Sequence, residues 1–594
     1  MTDYNAPQRD FTFLMHDVFD LPALWAAMPA FAEADGDLAG AVLEEGAKMV
    51  AGTIAPLRRL GDSEGARHTG DGVTMPSAYK AAFTDFADGG WTSLTSNPNY
   101  GGQGLPRSLS IMFEEMLWAS DPAFTLVFAL STGSIKMFNL HGSDELKAKY
   151  MPDMISGNWT GTMCLTEPHA GSDLGIISTR ADVNGDGSYN ISGTKMFITA
   201  GDHDLTDNII HFVLAKLPGA EAGTRGISLF LVPKFHVSDD GSPGARNSVT
   251  CGSIEHKMGI HASATCVMNF DGAKGWMVGA PGQGLKCMFA MMNDERLGIG
   301  LQGQAALAAA YQAASTYAKD RVQGRAPTGA VNPGGKADPI IVHPEVRRML
   351  MELKSGSEAG RALVLYAASW LDRAAGTEDA DERAKAQGLA DLLTPLCKAY
   401  LSDLGFDGTV TAQQIFGGHG YVAEWGMEQW VRDTRIAQIY EGANGIISMD
   451  LFGRKALGTG GALIRSLAGE ISTEIDAATD DSLSDMRTAL ENALATVLEV
   501  TDWAVQAAAS DPELVSASAV AYQRMLGHLV FGFMWLRMAR IAAAGSSQGS
   551  DFDAAKLVCA NYFFARTLPE LSLLADQVRL SSSGMMALPA DDFG

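Results

Sequence analysis

The stretch TRADVNGDGSYNI, residues 179–191, decides the fold class. Residues 179–183 and 189–191 are strand-forming runs, and Asn184-Gly-Asp-Gly between them has the residue types of a hairpin turn. An Asn/Asp/Gly turn also suggests a calcium loop. The later ligands of such a loop are missing, so the turn reading holds. Working outward, short β-rich runs continue from about residue 158 to about residue 283, with strands expected at 195–199, 209–215, 227–232 and 265–270.

On both sides the pattern turns helical. Residues 110–118 and 143–151 carry apolar side chains at three- and four-residue spacing, and Ser143 before Asp144 and Glu145 reads as a helix N-cap. After residue 284 helices are expected at 297–321, 346–375 and 384–406, with a Gly/Pro-rich loop at 324–339. Gly458-Thr-Gly-Gly reads as a linker, and a further helical segment follows it. The expected class is α+β, mostly α. The expected parts are an N-terminal extension (1–40, with Phe11, Phe13, Phe19 and Trp25), a helical domain (41–157), a middle β-domain (158–283), a helical bundle (284–457) and a C-terminal helical extension (461–594).

A chain of 594 residues with 46% apolar and 19% charged residues lies in the globular range, which excludes disorder as the main state. The net charge of −25 opposes a nucleic acid or an anionic membrane as partner. Residues 461–594 share that sign, with 8 basic and 17 acidic side chains. Six cysteines without a Cys-x-x-Cys pair fit a reducing cytosol. The N-terminal MTDYNAPQRDFTFLMHDVFD lacks the basic and apolar regions of a signal peptide. Residues 529–538, with Trp535 and Arg537, are too short for a membrane span of about 20 residues and read as a buried helix. A cytoplasmic protein is expected.

Four segments offer chemistry. In MCLTEPHAGSDLG, from Met163, the residues Thr166, Gly171 and Ser172 supply hydroxyls and open backbone, as an anionic or heteroaromatic ligand requires. In KMFITAG, from Lys195, strand alternation puts Phe197 and Thr199 on one face, a wall for a flat ring. In QQIFGGHGY, from Gln413, the glycines Gly417, Gly418 and Gly420 end a helix; the pattern is not the Gly-x-Gly-x-x-Gly of a dinucleotide fold. In IYEGANGI, from Ile439, Glu441 stands among apolar residues, where burial raises a carboxyl pKa and makes a better base. Each segment alone also reads as ordinary loop, core or helix end. His169 and His419 read as satisfied loop histidines, and no spacing supports a metal site.

Taken together and in this order, the four segments resemble the acyl-CoA dehydrogenase family, over roughly residues 40–455. The length and the opening Tyr4-Asn-Ala-Pro-Gln-Arg-Asp-Phe resemble its long bacterial subgroup, which includes the 3-methylmercaptopropionyl-CoA dehydrogenases of dimethylsulfoniopropionate breakdown. The resemblance implies a helical domain, a β-domain and a helical bundle with FAD in the cleft between them. It implies a homodimer or homotetramer in which one subunit's bundle completes its neighbour's FAD site. It assigns Glu441 as the base. Met163, Leu165, Thr166, Gly171, Ser172, Phe197, Thr199, Arg321, Gln414, Gly417, Gly418, Ala443 and Asn444 are assigned to the cofactor, and Ser172, Arg296, Tyr440 and Gly442 to the substrate. Phe197 stands where many members have Trp, and Ala443 and Asn444 stand where members often have Thr.

The implied reaction is α,β-dehydrogenation of an acyl-CoA. Glu441 removes the α-proton, the β-hydride goes to flavin N5, and the Glu441 amide and a ribityl hydroxyl hold the thioester oxygen. The expected substrate is 3-methylmercaptopropionyl-CoA, with short- or medium-chain acyl-CoAs as the alternative, and the expected acceptor is an electron-transfer flavoprotein. An acyl-CoA oxidase shares these residues. A flavin-containing DNA-associated protein predicts a basic C-terminal segment, which the charge count over residues 461–594 opposes. A non-catalytic acyl-CoA binder has no use for Glu441.

Overall fold

The computed structural model describes residues 4–70, 72–238 and 240–594, so the opening Met1-Thr2-Asp3 lies outside the described residues. Two compact units result. One comprises residues 48–105 and 120–298; the other comprises the residues up to 47, 106–119 and 299–594.

The first unit is built on a seven-stranded sheet: β1 (Trp159–Cys164), β2 (Arg180–Val183), β3 (Tyr189–Thr199), β4 (Asn208–Lys216), β5 (Ile227–Pro233), β6 (Val249–Ile254) and β7 (Thr265–Val278). The order is β6-β7-β3-β2-β4-β1, and β5 pairs with both β7 and β4, so the sheet curls round. The Asn184 turn closes the β2–β3 hairpin as expected, with Asn184 N–H donating to Ser188 O at 2.8 Å. Residues 195–199 are the far end of β3, an eleven-residue strand, rather than a strand of their own. Opposite Cys266 and Met268 of β7, β3 carries one residue too many between Lys195 and Ile198. That bulge re-aims the local side chains.

Helix α1 (Pro122–His141) is, among the described residues, the one helix long and apolar enough to cross a membrane. It is mostly buried inside this unit, where Phe138 meets Phe212 of β4 with ring centroids 5.5 Å apart. Just after it, Ser143 caps the next helix, accepting from Leu146 N–H at 3.3 Å.

The second unit is helical. It takes the later part of α2 (Gly284–Asp320), then α3 (Pro344–Gly376), α4 (Ala380–Phe416), α5 (Met427–Arg435), α6 (Asn444–Met449), α7 (Ala462–Ala477), α8 (Ser484–Ala507), α9 (Leu514–Ala544), α10 (Ser550–Arg566) and α11 (Glu570–Val578). Helices α2 and α4 touch backbone to backbone: a Cβ on Gly405 would lie 2.3 Å from Gly303 O. Only glycine permits that approach. Gly458–Gly461 is a tight turn, with Gly460 and Gly461 at φ 59° and 80°. Beyond it α9 packs on α4 and α6, and its Tyr522 stacks at 4.3 Å on Phe452, just past the end of α6. Residues 529–538 form a buried part of α9, as their composition suggests.

The N-terminal aromatics plug into this unit. Phe11, Phe13 and Trp25 are fully buried. Phe13 meets Phe552 of α10 edge-on at 5.2 Å, and Trp25 Nε1 donates to Ser108 Oγ at 2.9 Å. A buried ionic cluster ties three distant parts of the chain together. Arg361 of α3 donates through Nη2 to Glu115 at 2.6 Å, and Lys556 of α10 donates to Glu358 at 2.9 Å and also to Asp10.

Candidate functional site

The MCLTEPHAGSDLG segment leaves the end of β1, where Met163 is half-buried and Leu165 buried. Lys195, fully buried on β3, donates to Leu165 O at 2.9 Å and to Glu167 Oε1 at 2.8 Å. Glu167 is also buried and accepts from Ser178 N–H and Oγ, both at 2.7 Å, and from Thr179 N–H and Oγ1 at 3.0 and 2.6 Å. Burial alone would raise its carboxyl. The Lys195 ammonium and the four donors outweigh burial and hold it at about 2. Met196 N–H then donates to Thr166 O at 2.9 Å, which joins the first two motif segments. Gly171 and Ser172 stand exposed beyond this anchor, and a Cβ on Gly171 would meet nothing within 4 Å. His169 is the satisfied loop histidine expected, its Nε2 3.1 Å from Ile176 O.

Phe197 sits on the β3 bulge with φ 59° and is 57% exposed. A bulky residue in the left-handed region costs on the order of 1–3 kcal/mol. The ring stands out in the open, while Thr199 two residues on is half-buried; the bulge breaks the simple alternation that the sequence suggests. Arg296, on α2, is half-buried.

In the helical unit the QQIFGGHGY segment ends α4, and Gly417 at φ 57° terminates the helix. A cavity of about 460 Å³ lies beside it, lined by Tyr317, Arg321, Phe416, His419 and Trp425 among others. Tyr317 stacks on Phe416 at 4.2 Å and His419 on Trp425 at 4.2 Å. Tyr317 Oη and His419 Nδ1 are hydrogen-bonded at 2.9 Å, so His419 is again satisfied by its own surroundings. Arg321 is exposed at the cavity, and its guanidinium makes no hydrogen bond or ion pair among the described residues. Gln414, Gly417 and Gly418 are exposed. The structure thus gathers Arg321 and the end of α4 at one aromatic-lined pocket.

Glu441 lies on the loop between α5 and α6, with φ 54°, followed by Gly442 at φ 94°. Two successive left-handed residues make a sharp turn, and a Cβ on Gly442 would lie 2.6 Å from Ile447 Cδ1. Glu441 is half-buried, not buried as its apolar sequence neighbours suggest. The reason is local: Ile439, Ala443 and Gly445 around it are themselves exposed. Tyr440 Oη donates to Gln302 Oε1 at 2.6 Å. Asn444 turns its side chain into the helices: its Nδ2 donates to Asp403 Oδ1 at 2.6 Å and its Oδ1 accepts from Lys398 Nζ at 2.7 Å.

A larger cavity, about 550 Å³, opens among α3, α4, α9 and α10 and includes none of the residues singled out from sequence. Reading residues alone also missed Glu167, Lys195, Lys398 and Asp403, which hold the motifs in shape. The residues present suit a flavin dinucleotide: open backbone and hydroxyls at 166–172, an unpacked ring at Phe197, and an uncommitted arginine over an aromatic pocket.

Comparison with known proteins places matches along the chain. The N-terminal, middle and C-terminal domain models of acyl-CoA dehydrogenase match residues 55–158, 162–273 and 282–457, and an acetyl-CoA dehydrogenase C-terminal-like model matches residues 467–589. The chain is 40% identical over 597 residues to a 3-methylmercaptopropionyl-CoA dehydrogenase of Ruegeria pomeroyi, covering 99% of both chains. It is 33% identical over 610 residues to a butyryl-CoA dehydrogenase of Syntrophomonas wolfei, covering 100% of this chain and 99% of that one. A crystal structure of an acyl-CoA dehydrogenase complexed with FAD from Bacillus anthracis superposes with a TM-score of 0.75 at 21% identity, over 98% of this chain and 93% of the other.

Proposed function

Because this chain belongs to the acyl-CoA dehydrogenase family, we propose that it is the FAD-dependent oxidoreductase that converts 3-methylmercaptopropionyl-CoA to 3-methylthioacryloyl-CoA. The observation that carries the reading is Glu441, held on a left-handed turn at φ 54° by bonds from neighbouring helices. The full-length likeness to the Ruegeria pomeroyi enzyme supports the substrate.

Bound FAD supplies the acceptor for the β-hydride. Thr166, Ser172 and the backbone around Gly171 would hold it on the β-unit side, and Met163, Leu165, Phe197 and Thr199 would line its ring. In a homodimer or homotetramer Arg321 would reach the phosphates of a neighbouring copy's FAD, and Gln414, Gly417 and Gly418 would take the adenine side. Ala443 and Asn444 would contact the cofactor through their backbone, since the Asn444 side chain is engaged elsewhere.

Glu441 removes the α-proton of the thioester. Its own amide N–H donates to the thioester oxygen, where negative charge develops; one such donor is typically worth about 2.7–4 kcal/mol. Tyr440, Gly442, Ser172 and Arg296 position the acyl-CoA. In a 3-methylthio substrate the sulfur on the β-carbon shares positive charge as hydride leaves, which suits this reaction. An electron-transfer flavoprotein reoxidises the enzyme in the cytoplasm, in dimethylsulfoniopropionate breakdown.

Anaerobic titration of the purified yellow protein with a panel of acyl-CoAs tests the reading. Flavin absorbance is expected to bleach, most tightly with 3-methylmercaptopropionyl-CoA. Faster bleaching by butyryl-CoA would move the substrate, and no bleaching by any acyl-CoA would remove the activity.

A further inference from the structure

The Glu441 loop hangs from one short stretch of α4. Lys398, fully buried there, donates from Nζ to Gly442 O at 2.6 Å and to Asn444 Oδ1 at 2.7 Å. The Asn444 amide donates back to Asp403 Oδ1 at 2.6 Å, Ser402 Oγ at 2.9 Å and Ala399 O at 3.2 Å. On the incoming limb, Gln438 Nε2 donates to the same Asp403 Oδ1 at 2.7 Å. Both limbs of the loop therefore end on one carboxylate oxygen, and the carbonyl one residue past Glu441 ends on one ammonium.

We propose that Lys398 is a positioning residue of the reaction: with Asp403 it fixes the left-handed turn that aims the Glu441 carboxylate. The proposal rests on Glu441 being the base. A buried ammonium is costly to desolvate, so its place in a helical interior needs a partner that rewards it. Its partners include the carbonyl of Gly442 and the amide oxygen of Asn444, on either side of Ala443. The turn needs such a tether because Glu441 and Gly442 both lie in the left-handed region, at φ 54° and 94°, and an untethered chain leaves that region readily.

The test compares wild type, K398M, K398R, N444A and E441Q holoenzymes. Anaerobic rapid mixing with 3-methylmercaptopropionyl-CoA gives the limiting rate of flavin reduction and the apparent substrate dissociation constant. Hydrogen exchange of residues 440–445 reports the loop itself. K398M is expected to keep its FAD and to bind substrate within about twofold of wild type. Its reduction should slow by roughly ten- to a hundredfold, the range a displacement of about 1 Å produces. The loop amides of K398M should exchange faster while α9 is unchanged. N444A should shift both readouts in the same direction, and K398R should recover part of the rate. Wild-type rates in K398M and N444A, with E441Q inactive, overturn the proposal and leave the base in place. Wild-type reduction in E441Q removes the base reading, and the proposal with it. A rate loss that only follows lost FAD or a lower melting temperature makes Lys398 structural and also overturns it. Should K398M not fold, N444A decides alone.

Discussion

Replacing Glu167 with Gln would leave Lys195 as a fully buried ammonium without its counter-charge, facing only neutral acceptors such as the Leu165 carbonyl at 2.9 Å. Removing one member of a buried ion pair costs about 3–5 kcal/mol, largely from the stranded charge. The converse variant, K195M, strands Glu167 less severely, because Ser178 and Thr179 still donate to it at 2.6–3.0 Å. The double variant E167M/K195M removes both charges and should recover most of the loss. The reporter is the Met196 amide, which donates to Thr166 O and so reads the anchored segment directly. Native-state hydrogen exchange should show its opening equilibrium raised roughly a hundredfold or more in E167Q, less in K195M and least in the double variant. FAD affinity should fall in the same order. Equal protection in wild type and E167Q would refute the idea that this pair holds the motif in shape.

The Asp10 carboxyl is pushed up by burial, but Lys556 and Arg361 outweigh that and hold it at about 2 against an ordinary 3.8. A depressed carboxyl stabilises above its unfolded value, so acid titration should loosen the N-terminal anchor between about pH 4 and pH 2, and D10N should lose that transition. Asp372 is shifted the other way, raised by burial to about 6 although Arg107 and Ser108 donate to it. Its contribution is therefore lost as pH rises from about 4 through about 6, and D372N should flatten the melting temperature over that window. F197G should relieve the left-handed strain, stabilise the cofactor-free protein by about 1 kcal/mol and weaken FAD binding, all measurable by calorimetry. R321A should retain less FAD after gel filtration while its circular dichroism stays unchanged.

How far the sequence carries is uneven, for reasons that individual residues make plain. Asn184-Gly-Asp-Gly is local turn chemistry, and the hairpin is where its residue types put it. Ser143 and Gly417 likewise mark helix ends through their own backbone and side-chain chemistry. β1, Trp-Thr-Gly-Thr-Met-Cys, escaped notice because both its faces are covered, which erases the alternation that marks a strand. Helix α1 is likewise buried and apolar over most of its length, up to Lys136. The Lys195–Glu167 pair spans 28 residues and the Lys556–Asp10 pair spans 546, and composition says nothing about who meets whom at that range. A lysine on a helix ordinarily reads as a solvated side chain, so Lys398 is visible only once the Glu441 loop lies against it. The family was legible because four ordered segments match it, and the candidate chemistry-bearing residues were named through that match. What holds those residues was not, because it is long-range.

The most direct test mixes wild type and E441Q, both loaded with FAD, anaerobically with 3-methylmercaptopropionyl-CoA. Wild-type flavin should bleach at once, while E441Q binds the thioester and stays yellow. An E441Q flavin that bleaches at the wild-type rate would contradict the assignment of this carboxylate as the base.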